Sequence, residues 1–297
     1  NIYLIASFLA LIFPTGILSL LFYFDNKIRI RDDIKSLNIP ILGETPFLKV
    51  FESNQDIFNS LKVTSREPFV ESLRMIITNL GYIVGSIEKS KTVLITSSIK
   101  GEGKTLLSTS IAKILSFSDK KVMLIGSDLR NPQIHTHLNI EKNQFKGLSN
   151  YLYEKNDNFR DYIIKSDNLD IMLSGTIPPN PSELLESKKF NSLVTKLRRT
   201  YDYIIIDSAP CLLVSDTFKN SDIFDTSIFV VRSNHTPKDI LKFIDDVDKT
   251  KKLKRISIIL NGVGDNSFYG YSYRYKYNYS YAYNYGYGYG YKNDEDS

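Results

Sequence analysis

Six short, nearly continuous apolar runs recur along the middle of the chain: TVLITS (92–97), KVMLIG (121–126), LDIML (169–173), DYIIID (202–207), SIFVVR (227–232) and ISIIL (256–260). Such runs, without apolar–polar alternation, are what strands buried on both faces require. Between them, apolar residues return every three or four positions, which predicts helices over 67–80, 104–117, 182–199 and 236–250. Strands alternating with helices imply an α/β fold, with a mostly parallel central sheet flanked by helices. Ligands of such sheets bind beyond the carboxyl ends of the strands. This organisation places a domain at 66–264. Residues 25–65 are poorly periodic and read as a linker, with IPILGETP as its turn-bearing part.

Both ends break the pattern. Residues 1–24 carry no charge, and that length of apolar chain is enough to cross a bilayer core as a helix. Pro14 is tolerable there, because neighbours can satisfy the freed carbonyl. Lys27, Arg29 and Arg31 follow at once, and positive flanks stay in the cytoplasm. A signal peptide would place basic residues before the apolar run, and none precede it. The expectation is a transmembrane helix in the cytoplasmic membrane, with everything after it cytoplasmic. The chain opens on Asn rather than Met, as a piece of a longer protein would.

At the other end, residues 265–297 form a low-complexity tail. Tyr269, Tyr271, Tyr273, Tyr275, Tyr277, Tyr279, Tyr281, Tyr283, Tyr285, Tyr287, Tyr289 and Tyr291 alternate with Gly, Ser, Asn, Lys, Arg and Ala. The period is that of a strand, but the alternate positions offer nothing to bury. Polar–aromatic repeats of this kind are read as disordered, sometimes self-associating segments.

Composition narrows the picture only a little. Hydrophobic content of 42% and charge of 24% are globular values, and the net charge of +5 is mild and scattered. Its one dense run, Lys249 to Arg255, reads as a solvated helix end, so no nucleic-acid partner is expected. A single cysteine, Cys211, excludes an internal disulfide and suits a reducing compartment; its place after a strand reads as a small buried residue. His135 and His137 form an H-x-H, but no acidic or Cys partner at zinc-like spacing supports a metal there, and packing or surface roles are preferred.

The chemistry lies at the ends of three of the predicted strands. SIKGEGKT (98–105) follows the first and opens a helix. A Gly-rich turn in that setting points backbone N–H groups of Gly101, Glu102, Gly103, Lys104, Thr105 and Leu106 at phosphate, helped by the helix dipole. Lys104 would reach the terminal phosphates and the Thr105 hydroxyl would ligate Mg²⁺. The usual first glycine of the motif is Ser98 here. YDYIIIDSAP ends a buried strand at Asp207, placed to hold Mg²⁺ through water beside such a loop. VMLIGSDLRNP ends another near Asp128. Together they describe a site for ATP with Mg²⁺.

With these residues in place, the chain resembles the bacterial tyrosine kinases that control capsule and exopolysaccharide synthesis. The resemblance runs from about Arg29 to the end and includes ESLRMIITNL, KGLSNYL, IPPNPSELL and IIIDSAPCLLVSDTFKNSDIFDTSIFVVRSNHT. It implies a P-loop fold of the MinD/ParA-like branch and Walker A, A-prime and B motifs. It also implies that the catalytic domain phosphorylates tail tyrosines of neighbouring subunits. Lys104, Asp128 and Asp207 would be the catalytic residues, and Asn261 would lie near the nucleotide base, although an Asn-Gly turn explains Asn261 equally well. Partitioning ATPases of that branch carry a lysine five residues before the P-loop lysine; here that position is Ile99, with Lys100 one place off. Implied partners are further copies of the chain, a polysaccharide polymerase with outer export components, a tyrosine phosphatase and the membrane.

Two departures qualify the resemblance. The family's Walker A-prime reads Asp-x-Asp, whereas this chain has Gly126-Ser127-Asp128. A tyrosine with a pKa near 10 is almost wholly protonated at neutral pH, so a missing base weakens turnover more than nucleotide binding. The alternative expectation is therefore a nucleotide-binding scaffold with weakened catalysis. The family's ring-forming Glu-x-x-Arg-x-x-Arg face appears as Glu71, Arg74 and then Ile77. Glu71 and Arg74, three residues apart on one helix face, would also form an ordinary salt bridge.

Overall fold

The structure, a computed structural model, describes residues 3, 8, 10–16, 26–48, 61, 66–85, 87, 90–141, 144–166, 168–212, 218 and 220–264. Most of the expected 1–24 span, much of the 25–65 linker and the whole tyrosine-rich tail lie outside them. Among the described residues no helix is long and apolar enough to cross a membrane.

The apolar runs form the strands that their lack of alternation demands. These are β2 (Lys91–Ser97), β3 (Val122–Gly126), β4 (Leu169–Met172), β5 (Tyr203–Asp207), β6 (Thr226–Arg232) and β7 (Ile256–Val263). Every residue of β3 is buried, as is every residue of β2 after Lys91. A seventh strand, β1 (Ile41–Pro46), comes from the stretch expected to be a turn-bearing linker. The order is β1-β7-β6-β2-β5-β3-β4, and each neighbouring pair runs parallel. β1 is an edge strand with two register irregularities against β7, and it is only partly buried. Its Gly, Glu, Thr and Pro hide the strand pattern because one flank needs no apolar cover.

Eight described helices are used below: α1 (Arg31–Ile34), α2 (Pro68–Val84), α3 (Lys104–Ser116), α4 (Ile134–His137), α5 (Leu148–Tyr153), α6 (Pro181–Leu185), α7 (Lys188–Leu197) and α8 (Ile240–Lys249). They cover both faces of the sheet and bury two apolar layers. Leu73, Ile76, Leu107 and Ile111 of α2 and α3 meet Ile95, Ile205 and Val230 on one side. Phe190 and Leu193 of α7 and Ile244 of α8 meet Met123, Ile206 and Phe229 on the other.

Three expected helices differ in extent: the 67–80 helix runs on to Val84 in α2. The 182–199 helix is broken at Ser187, whose hydroxyl accepts the Phe190 N–H and caps a fresh start at α7. The 236–250 helix begins only at Ile240, because residues 232–236 close a turn in which Asn234 takes a left-handed φ of 57°.

Candidate functional site

β2 ends on the loop 98–103, and the loop can curl because glycine occupies its two left-handed positions. Gly101 has φ 88° and Gly103 has φ 92°. A Cβ at Gly103 would lie 2.1 Å from Asn261 Nδ2, so the backbone there is pressed against β7. α3 starts at the next residue. It is almost wholly buried despite Ser108 and Thr109, whose hydroxyls donate to the carbonyls of Lys104 and Thr105 in the preceding turn.

Three strand ends meet at the start of α3. The Lys104 ammonium lies 3.1 Å from Asp128 Oδ2 and 3.7 Å from Asp207 Oδ1. Thr105 Oγ1 donates to Asp207 Oδ2 at 2.9 Å. Asp128 is held by its own turn, its Oδ1 accepting the Asn131 N–H at 2.9 Å. Burial works against the charge on Lys104, but Asp207 and Asp128 outweigh it and hold its pKa above the ordinary lysine value. Burial in turn raises the pKa of Asp207, against the pull of Lys104 and Thr105.

Lys104, Thr105 and Asp128 open into a cavity of about 620 Å³, the size of an ordinary small-molecule site, whereas Asp207, bonded to Thr105, does not itself line it. Gly101, Gly103, Lys104, Thr105, Leu106 and Asp128 line it, as does Asn261. Phe47 and Arg232, which sequence reasoning missed, line its other side, with the guanidinium 6.0 Å from the ring centre. His137 also lines it; burial and the nearby Lys104 lower its pKa, which favours the neutral imidazole.

The donor set fits a nucleotide with a divalent cation. Asp207 Oδ1 is buried and accepts no hydrogen bond, although its partner oxygen does. Among the described residues no cluster of three His, Cys, Asp or Glu could hold a metal by itself. A cation here would therefore draw on Thr105, Asp207 and phosphate oxygens together. His135 and His137 form no such cluster.

Other expected residues take more specific places. Asn261 lies within β7 rather than in a turn, and both ends of its amide are committed. Nδ2 donates to the Glu102 carbonyl at 2.9 Å and Oδ1 accepts from Thr45 of β1 at 2.7 Å. Glu102 is fully buried and does not line the cavity. Cys211 is buried too, which pushes its thiol up to about 12. Glu71 and Arg74 pair with each other along α2. Gly126 packs against the segment after β4, where a Cβ would lie 2.6 Å from Ser174 Oγ and 3.0 Å from Ser174 N. No signal in the sequence foretold that contact.

A parallel sheet with a glycine-rich loop at its centre, a lysine opening the helix that follows and two aspartates at neighbouring strand ends defines a P-loop nucleotide-binding protein. Comparisons narrow the class. Residues 90–257 match the family model described as an AAA domain. The tyrosine-protein kinase YwqD of Bacillus subtilis is 35% identical over 207 residues, covering 68% of this chain and 85% of that protein. The tyrosine-protein kinase CpsD of Streptococcus pneumoniae is 32% identical, covering 62% and 84%. Among solved structures, the kinase domain of the Escherichia coli tyrosine kinase ETK shares the fold, with a TM-score of 0.69 at 24% identity over 82% of this chain and 99% of that one. The chimerical protein CapA2B2 gives 0.67 at 28% identity over 80% and 100%. This chain belongs to the bacterial tyrosine kinases, and its reaction class is that of a protein-tyrosine kinase.

Proposed function

We propose that the chain is a membrane-anchored, ATP-dependent tyrosine autokinase that phosphorylates the tails of neighbouring copies and so regulates capsule or exopolysaccharide polymerisation and export. The observation that carries this reading is the meeting of Lys104 with Thr105, Asp128 and Asp207 beside a curled glycine loop, where Lys104, Thr105 and Asp128 line one cavity. When bound, ATP supplies the phosphoryl group and Mg²⁺ spreads its charge.

The chain's own residues do the rest. Amides from Gly101 to Leu106 and the positive end of α3 hold phosphate oxygens. Lys104, kept charged by its two aspartates, balances the negative charge that builds on transfer. Thr105 and Oδ1 of Asp207, which accepts no hydrogen bond, would serve the cation. Asp128 orients Lys104 and is the carboxylate closest to the role of the missing one at 126.

The acceptors are the twelve tail tyrosines, which outnumber the eight elsewhere in the chain. Many equivalent tyrosines on a neighbouring tail raise the chance of encounter. Each phosphate adds about −1.5 to −2 charge, so a few would make the near-neutral tail strongly anionic and drive subunits apart. The span at 1–24 anchors the chain, α2 contributes Glu71 and Arg74 to a ring, and a tyrosine phosphatase resets the cycle. Gly126 favours a second reading, a nucleotide-gated scaffold of the same machinery. Position 126 is closed to a side chain by Ser174.

The test uses the full chain with Mg²⁺ and ATP, read by anti-phosphotyrosine detection. The natural chain should give signal on the tail and Lys104→Met should give none. A Lys104→Met chain mixed with one lacking 265–297 should regain it, because the acceptor is then on a different subunit. A silent natural chain that still binds ATP would select the scaffold.

A further inference from the structure

Glu102 presents a physical problem. It lies inside the phosphate-binding loop with no exposure, and burying a carboxylate is costly unless donors meet it. The Ile99 N–H donates to Oε2 at 2.8 Å, from within the loop itself. A hydroxyl from a distant part of the chain supplies Oε1: Thr236 Oγ1 donates at 2.5 Å. That hydroxyl accepts the Arg232 N–H at 2.9 Å, so its single proton is directed to Glu102.

Thr236 closes the turn that follows β6, and the whole turn grips the loop. His235 Nε2 meets the Lys100 carbonyl at 2.9 Å and Arg232 Nη1 donates to the Gly101 carbonyl at 2.9 Å. Three consecutive loop residues are thus held by one five-residue turn. The turn is itself held from the other side. The Ile28 N–H donates to the Thr236 carbonyl and the Asn234 N–H to the Ile28 carbonyl, each at 2.8 Å. Ser233 Oγ donates to the Arg29 carbonyl, and the Lys238 N–H to the Asn26 carbonyl, also at 2.8 Å. Segment 26–29 therefore lies antiparallel along 233–238, with Lys27 bridged to Pro237.

We propose that Thr236 is a positioning residue for phosphate binding, and that it is the point through which segment 26–29 acts on the P-loop. The turn sets the loop's curl through Glu102, and the segment sets the turn. A pull on the chain ahead of residue 26 would reach the phosphate site through that turn. The inference rests on the P-loop being the nucleotide site, so its test includes a readout that needs no nucleotide.

The full chain and its Thr236→Val, Thr236→Ser and Ser233→Ala forms are compared by amide hydrogen exchange without nucleotide, and by binding of a fluorescent ATP analogue with Mg²⁺. Valine keeps the shape of threonine and loses the donor. Leaving a buried carboxyl oxygen without its donor costs enough that exchange at 99–105 should quicken about tenfold or more, with Kd rising similarly, while β5 amides stay protected. Thr236→Ser should return both near the natural values. Ser233→Ala should loosen 26–29 and 99–105 together.

Unchanged loop exchange in Thr236→Val, or failure of serine to rescue it, overturns the assignment, the latter by showing that the methyl group matters instead. Loosening of 26–29 alone in Ser233→Ala overturns the link to that segment. Should Thr236→Val not fold, Glu102→Gln carries the test. Its amide keeps a single acceptor oxygen for two donors, so loop exchange must rise. A natural chain that does not bind the analogue refutes the nucleotide-site reading, and the exchange results then judge Thr236 on their own.

Discussion

Glu102 shows how one buried carboxylate makes a loop sensitive to pH. Burial raises its pKa from 4.5 to about 7, opposed by the donors Thr236 and Ile99. Between those values the folded chain holds a proton that the unfolded chain has released. Stability therefore falls as pH rises from about 4.5 to about 7, and this group adds no further slope above that. Glu102→Gln removes the titration. Chemical denaturation at several pH values should show the natural chain losing on the order of 2–3 kcal/mol relative to Glu102→Gln across that window. Parallel stability curves would refute the assignment. Gly126 makes the opposite kind of statement, about space. With Ser174 Oγ 2.6 Å and Ser174 N 3.0 Å from where a Cβ would stand, Gly126→Asp must displace the segment after β4. It should cost about 1–3 kcal/mol in melting experiments, and an added Ser174→Gly change should recover part of that. Restoring the family's missing carboxylate is thus a two-site change.

Among the elements, β1 matters more to the site than its edge position suggests. Its Thr45 anchors Asn261, and Asn261 anchors the Glu102 carbonyl, so the loop is supported from β7 as well as from the turn after β6. β1 reaches that register because Gly43 lets it lie close on α2, where a Cβ would stand 2.7 Å from Ile76 Cγ1. Gly43→Ala should lower the denaturation midpoint by the equivalent of about 1–3 kcal/mol. It should also weaken ATP binding, although residue 43 does not line the cavity. A variant destabilised to that degree with unchanged ATP affinity would show that β1 does not support the loop. The strand escaped sequence reading because ILGETP carries Gly and Pro and one uncovered flank. The break between α6 and α7 was likewise hidden, since a Ser187 cap inside a continuous periodic stretch looks like one more helical residue.

For the molecule as a whole, the crossovers of a parallel sheet bring distant strand ends to one edge. Asp128 and Asp207 lie 24 and 103 positions from Lys104, yet both carboxylates meet its ammonium. Thr236 lies 134 positions beyond Glu102 and is bonded to it. Segment 26–29 then adds a third remote stretch to the same place. The phosphate site is thereby joined to the portion of chain that follows the apolar run at 1–24, an arrangement suited to regulation from that end.

What the sequence determined by itself was the class of sheet, its six largely buried strands, the P-loop with its lysine and the two aspartates. Burial on both faces writes continuous apolar runs into a chain, and phosphate chemistry demands glycine, lysine and hydroxyl at fixed local spacing. Only the tertiary structure decided that Thr236 meets Glu102, that Asn261 holds the loop, that β1 completes the sheet and that Ser174 closes position 126. Those are contacts between residues far apart along the chain. They depend on how several crossovers stack at once, and no local periodicity records them.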